Sequence, residues 1–157
     1  MDKNQAIIDY MLQCSGITDT PLYFNFINAK DDTKQFITVS NDVNIQRPYV
    51  DGSIQKRYQM TVIVYRSISD VPLARLPGYP SENVEDIADV QTLIDWIRTQ
   101  NNSGNYPDFG DKCIIDRIYT TTDNPVLDQI DQTIQPPLAR YRFTVSVDYL
   151  DNTERIF

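Results

Sequence analysis

The chain contains no histidine. That removes every Ser-His-Asp or Cys-His arrangement, every histidine-ligated zinc site and every imidazole proton shuttle. Glycine is scarce as well. Gly16, Gly52, Gly78, Gly104 and Gly110 stand too far apart to make G-x-G-x-x-G or a Walker loop, so the usual backbone cradles for phosphate are missing. Only Cys14 and Cys113 carry thiols. Their spacing is unlike the dense pattern of small secreted domains, and two reduced thiols in a reducing cytosol are expected. No stretch approaches the roughly 18 apolar residues that a membrane span needs. The first helical stripe is broken by Asp9 and Gln13, so it is no signal-peptide core. Positive charge is also short: 14 basic residues face 22 acidic ones, a net charge of −8. Affinity for phosphate backbones comes from Lys and Arg displacing counterions, so non-specific nucleic-acid binding is disfavoured.

What is present is globular. Hydrophobic residues make up 41% and charged residues 23% of 157 residues, which suits one domain with a core of its own. A helix is expected from Lys3 to Cys14, capped by Asp2 with Gln5 completing a capping box, and stopped by Gly16. An extended run follows from Leu22 to Ile27, and a short strand from Gln35 to Val39. Val43 to Ser53 is mixed. Pro48 confines any strand there to an edge, and Asp51-Gly52 signals a turn. A long strand is expected from Ile54 to Ser67, with Tyr58, Met60, Val62 and Val64 on one face. Arg57, Gln59, Thr61, Ile63 and Tyr65 fall on the other, partly wet face.

Val71 to Pro80 reads as a loop. A second helix from Asn83 to Gln100 has Asn83 as its cap and Ile87, Val90, Leu93, Ile94 and Ile97 as its buried stripe. Asn101 to Gly110 is a loop, so the sequon Asn101-Asn102-Ser103 is a polar segment after a helix. Cys113 to Thr120 is a strand and Thr121 to Pro137 a long connection. Leu138 to Leu150 alternates cleanly, with Tyr141, Phe143, Val145, Val147 and Tyr149 on one side. The order reads as a single α+β domain, an antiparallel-rich sheet with two helices packed on one face.

The candidate chemistry is thin. Asp108-Phe109-Gly110 spells a kinase metal motif by chance, since its partner motifs are absent. Asp108, Asp111 and Asp116 could gather a cation, but their spacing follows no known loop pattern, and solvated loop acids are the better reading. The same holds for Asp123, Asp128 and Asp131. Glu82, Glu85, Asp86 and Asp89 suit a helix start through the dipole alone. Lys56, Arg57, Arg66, Arg140 and Arg142, interleaved with Tyr58, Tyr65 and Tyr141, could form a nucleic-acid face. Cross-strand pairing with Asp148 or Asp151 fits the acidic balance better. No catalytic, cofactor-binding or metal-ligating set emerges. Ten tyrosines favour large, half-polar contact surfaces.

Four stretches in order resemble small tail proteins of phages and prophages of Gram-positive bacteria. They are Tyr49-Val50-Asp51-Gly52-Ser53 with Lys56-Arg57-Tyr58; Glu82-Asn83-Val84-Glu85-Asp86 leading to Val90-Gln91 and Ile94-Asp95-Trp96-Ile97; Tyr106-Pro107-Asp108-Phe109-Gly110 with Cys113-Ile114-Ile115-Asp116; and Pro136-Pro137-Leu138-Ala139-Arg140-Tyr141 leading to Val147-Asp148-Tyr149-Leu150. The chain looks like a tail terminator. That resemblance implies a non-enzymatic virion protein assembled in the host cytoplasm, a six-fold ring on the last ring of the tail tube. Its partners would be copies of itself, the tube protein and the head connector, with DNA passing through unbound and no membrane involved. Another neck ring is the near alternative, and a soluble acidic binding or inhibitor protein is the alternative from a different class.

A ring needs two different patches per subunit. The segment Asn44 to Arg66 is expected to supply one, through Tyr49, Asp51, Lys56, Arg57, Gln59 and Tyr65. An acidic patch on loops with Asp108, Asp111, Asp123 and Asp128 is expected to supply the other, with surplus acid lining the channel.

Overall fold

Alternation over two long segments creates the spine of this protein. The computed structural model describes residues 2–14, 22–25, 33–38, 43–68, 82–133 and 137–153, and only the backbone of 22, 33–38, 43–48 and 82–86. In chain order the described elements are α1 (Lys3–Met11), β1 (Leu22–Phe24), β2 (Thr33–Thr38), β3 (Val43–Pro48), β4 (Ile54–Ser67), α2 (Glu82–Asn102), β5 (Cys113–Thr120), β6 (Val126–Asp131) and β7 (Leu138–Asp151). β4 and β7 pair antiparallel along their whole length, from Ile54 opposite Asp151 to Ser67 opposite Leu138.

Two shorter strands share each side of this spine. Beside β4, β3 lies at the Ile54–Arg57 end and β2 along Met60–Tyr65. Beside β7, β5 lies along Val145–Asp151 and β6 along Leu138–Arg142. β1 extends the sheet beyond β2 and is parallel to it, the one departure from antiparallel pairing in the seven-stranded sheet.

The core follows from the pleat. Tyr58, Met60, Val62 and Val64 of β4 and Phe143, Val145, Val147 and Tyr149 of β7 all face the same side. Ile7, Tyr10 and Met11 of α1 and Val90, Leu93, Ile94 and Ile97 of α2 close over them. Both helices therefore pack on one face, giving an α+β protein with one main core. Each fully buried large apolar side chain here contributes roughly 1.5–3 kcal/mol. Phe109 is 5% exposed and stands edge-on to Tyr58 and Tyr149, with centroids 5.8 and 5.3 Å away. Its place in the kinase-like triplet reflects packing.

The helix ends show their chemistry. Asp2 accepts a hydrogen bond from the Asn4 amide at 2.9 Å, as a cap should. Gln5, expected to reach back toward Asp2, donates to Asp9 one turn ahead at 2.8 Å. α1 ends at Met11 with Leu12 as its cap, earlier than the expected Cys14. Gly16 lies outside the described residues, as does the loop expected from 71 to 80. α2 begins at Glu82, so Asn83 lies inside the helix rather than at the position before it. The same helix runs through Asn102, because Gly104 at φ +71° lets the Asn105 amide donate to Gln100 O and the Gly104 amide to Asn101 O. These are the two bonds of a Schellman stop. Asn101 is thus the last turn of a helix, not a loop, and its Oδ1 accepts the Ile118 amide at 3.0 Å.

Other expectations need correction. The connection expected between Thr121 and Pro137 contains β6. A bulge between Leu127 and Gln129 breaks its alternation, so no period of two shows in the sequence. β1 spans Leu22–Phe24 and is followed by Asn25 at a left-handed φ of 49°, while the rest of the run expected to Ile27 lies outside the described residues. Ile87, expected in the buried stripe, is 39% exposed. The face of β4 turned from the helices is partly wet, as expected, and its dry part is Ile63 and Tyr65, buried with Leu138 in a second small cluster. Cys14 and Cys113 are both thiols, in agreement with the expectation.

Candidate subunit interface

The hairpin between β3 and β4 is held by its turn. The Tyr49 amide donates to Ser53 O at 2.8 Å and the Gly52 amide to Tyr49 O at 3.0 Å. Gly52 supplies the φ of 89° that this geometry needs. Asp51 Oδ1 accepts both the Ser53 amide and the Ser53 hydroxyl, at 3.0 and 2.6 Å. The Asp51 carboxylate therefore builds the turn. What the turn displays is apolar: Tyr49 is 49% exposed and Val50 95%.

The basic residues behind it are engaged inside the subunit. Lys56 Nζ lies 2.9 Å from Asp151 Oδ2. Burial alone would raise the Asp151 carboxyl, but hydrogen bonds from Lys56 and Thr153 and the Lys56 charge bring it down to about 2. Arg57 grips Asp148 through Nε at 2.8 Å and Nη2 at 3.3 Å, and Arg117 reaches the same carboxylate through Nε at 2.9 Å. The two guanidiniums flank the Tyr119 ring, 5.8 and 4.4 Å from its centroid. Asp148 is only 3% exposed. Burial raises its pKa, and the hydrogen bonds and charges of Arg57 and Arg117 overcome that and hold it below the usual range. The same bonds raise Arg57.

Further along this face Gln59 donates to Ser146 Oγ at 3.4 Å, and Thr61 and Thr144 share a bond of 3.3 Å. Lys56 and Arg57 thus lie in the cross-strand pairs with Asp151 and Asp148. Reversing the Arg57 charge would set two carboxylates together at a buried position, so it cannot isolate an assembly contact. Tyr65, 5% exposed, offers a neighbour almost nothing.

The expected acidic patch is not one patch. Asp108 caps a turn by accepting the Gly110 amide at 2.9 Å, and Asp111 is exposed just before β5. Asp123 lies between β5 and β6, 3.4 Å from Arg98. Asp128 occupies the β6 bulge, 3.1 Å from Arg140 Nε and 3.0 Å from Arg142 Nε. These acids are strung along the full length of one sheet edge. The sequence reading missed the apolar side chains between them: Val126, Leu127 and Ile130 of β6 are 40, 49 and 46% exposed. Among the described residues β6 pairs with β7 alone.

A groove of about 360 Å³ lies between α1 and the loop before β5, with Asp2, Asp9 and Asp108 beside the Tyr10 and Tyr106 rings. The Tyr10 hydroxyl donates to Asn105 O at 2.7 Å, and burial, with Tyr106 adding, pushes its pKa up. Nothing in this lining pairs a nucleophile with a base. Among the described residues, no group of three or more Cys, Asp or Glu side chains is placed to hold a metal ion, and no helix is long and apolar enough to cross a membrane. Compared with known protein families and with curated proteins, the chain has no match in either.

Proposed function

We propose that this chain is a structural protein of a phage tail or tail-like particle. It forms a ring at the head-proximal end of the tube, ends tube polymerisation and joins the tail to the head connector. One observation carries the reading. Large apolar side chains stand exposed at two separate places on one sheet, Tyr49 and Val50 at the β3–β4 turn and Val126, Leu127 and Ile130 on β6 beyond β7. A chain that both gives and receives the same contact needs two such patches. The four stretches resembling tail terminators support the same reading. So does the net charge of −8, which suits a channel wall that DNA passes without sticking.

The test uses the strain that carries the gene. Mass spectrometry of purified virions finds the chain, and deleting the gene gives headless tails of uncontrolled length. A chain absent from virions, or a deletion that leaves tail length and head attachment normal, overturns the reading.

A further inference from the structure

We propose that the groove between α1 and the loop before β5 binds a linear polyamine, a chain of methylenes with an ammonium at each end. The proposal goes beyond the tail reading and does not rest on it. The groove has a volume of about 360 Å³, which lies in the range of small-molecule sites. Asp2, Ala6 and Asp9 line it from one face of α1, and Tyr106, Pro107 and Asp108 line it from the loop. Tyr10, fixed by its hydroxyl on Asn105 O, adds its ring.

The charge of the ligand follows from what the groove lacks. Elsewhere in the chain Asp123, Asp128, Asp148 and Asp151 each pair with an arginine or a lysine. Among the described residues Asp2, Asp9 and Asp108 pair with none, and no basic side chain belongs to the lining. Each of the three uses Oδ1 to hold its own stretch of chain, through the Asn4 amide, the Gln5 side chain and the Gly110 amide. Oδ2 is left to a ligand. The carboxylates are thus in place before a cation arrives, so little ordering opposes binding.

The length and the stem of the ligand follow from the lining between the acids. Asp2 and Asp9 stand seven positions apart on one helix face, about 10 Å along the axis. One ammonium cannot reach both, and two on a common stem can. Much of what lies between is apolar: Ala6, Pro107 and the rings of Tyr10 and Tyr106. Bare methylenes suit such a surface, whereas the amides of a peptide would find few partners there. A tyrosine ring face also attracts a nearby ammonium.

The test is calorimetric titration of the full chain with spermidine at physiological ionic strength. One saturable site is expected, with a change in the emission of Trp96, the single tryptophan, whose ring centroid lies 5.2 Å from that of Tyr10. Asp9→Asn with Asp108→Asn should weaken binding by roughly tenfold or more. Asparagine keeps the acceptor that each carboxylate supplies to its neighbour, so melting curves should match the parent chain. Asp95→Asn with Asp123→Asn removes the same charge outside the groove and should leave affinity within about twofold, since exposed charges act weakly at a distance. Absence of saturable binding overturns the proposal. So does equal weakening by the two pairs, or magnesium ion displacing spermidine at matched concentration, because either means that only the overall negative charge attracts the ligand. Trilysine binding more tightly than spermidine overturns the choice of a free polyamine in favour of a basic segment of a partner protein.

Discussion

Replacing Arg57 and Arg117 together by methionine strands the Asp148 carboxylate where water barely reaches. Asp148 is 3% exposed and takes bonds of 2.8, 3.3 and 2.9 Å from the two guanidiniums. Orphaning a buried charge costs about 3–5 kcal/mol. The lower end applies here, because the partner side chains are 31 and 56% exposed and water can follow them in once they shorten. A loss of about 3 kcal/mol lowers the melting temperature of a domain this size by roughly 6–12 °C. Urea melts at pH 7 give the free energy directly. Adding Asp148→Asn to the double variant should recover most of the loss, since a neutral amide needs no counterion.

The pH dependence supplies a second check. In the wild type the Asp148 pKa is depressed. Its contribution is therefore present above the unfolded value and is lost as pH falls through the folded one. Without the arginines, burial is unopposed and the pKa rises. The double variant should then narrow its deficit against the wild type as pH falls through that raised pKa toward the unfolded value. A loss below about 1 kcal/mol, the range of exposed pairs, would refute the reasoning. So would a triple variant no better than the double.

Phe143, 2% exposed in the core, should cost about 3–5 kcal/mol when cut to alanine. Arg142→Ala, on the far face with a side chain 47% exposed, should cost under about 1 kcal/mol; equal losses in chemical melts would mean the faces are misassigned. Gly104→Ala meets nothing within 4 Å but must hold φ +71°, so a loss of about 1 kcal/mol is expected from backbone strain alone, and an unchanged midpoint would remove the Schellman argument. Asp151, held at about 2 against an ordinary 3.8 by Lys56 and Thr153, adds stability that is complete above its unfolded pKa and falls away as pH drops through the folded one. Lys56→Met should flatten that acid limb, and an identical acid profile in wild type and variant would sink the assignment.

Period-two alternation in Ile54–Ser67 and Leu138–Leu150, together with the 3.6-residue stripes of α1 and α2, already placed the core, the fold class and the side on which both helices pack. Those patterns are local consequences of which side chains avoid water, and a chain carries them unfolded. Pairing partners are a different matter. Whether Arg57 faces a neighbour or Asp148 depends on the register of strands 91 residues apart, and no local pattern encodes register. β6 was hidden for a related reason: its bulge at Asp128 shifts the side-chain phase, so the strand exists only because β7 is there to pair with it. Ile87 repeats the point on a helix, since a stripe is buried only where the sheet beneath it extends. The far-face burial of Tyr65 and the exposure of Leu127 and Ile130 likewise follow from which element lies opposite, a property of the assembled chain. Sequence determined what prefers to be buried; tertiary structure decided which of those residues found cover, and so which remain for another molecule to meet.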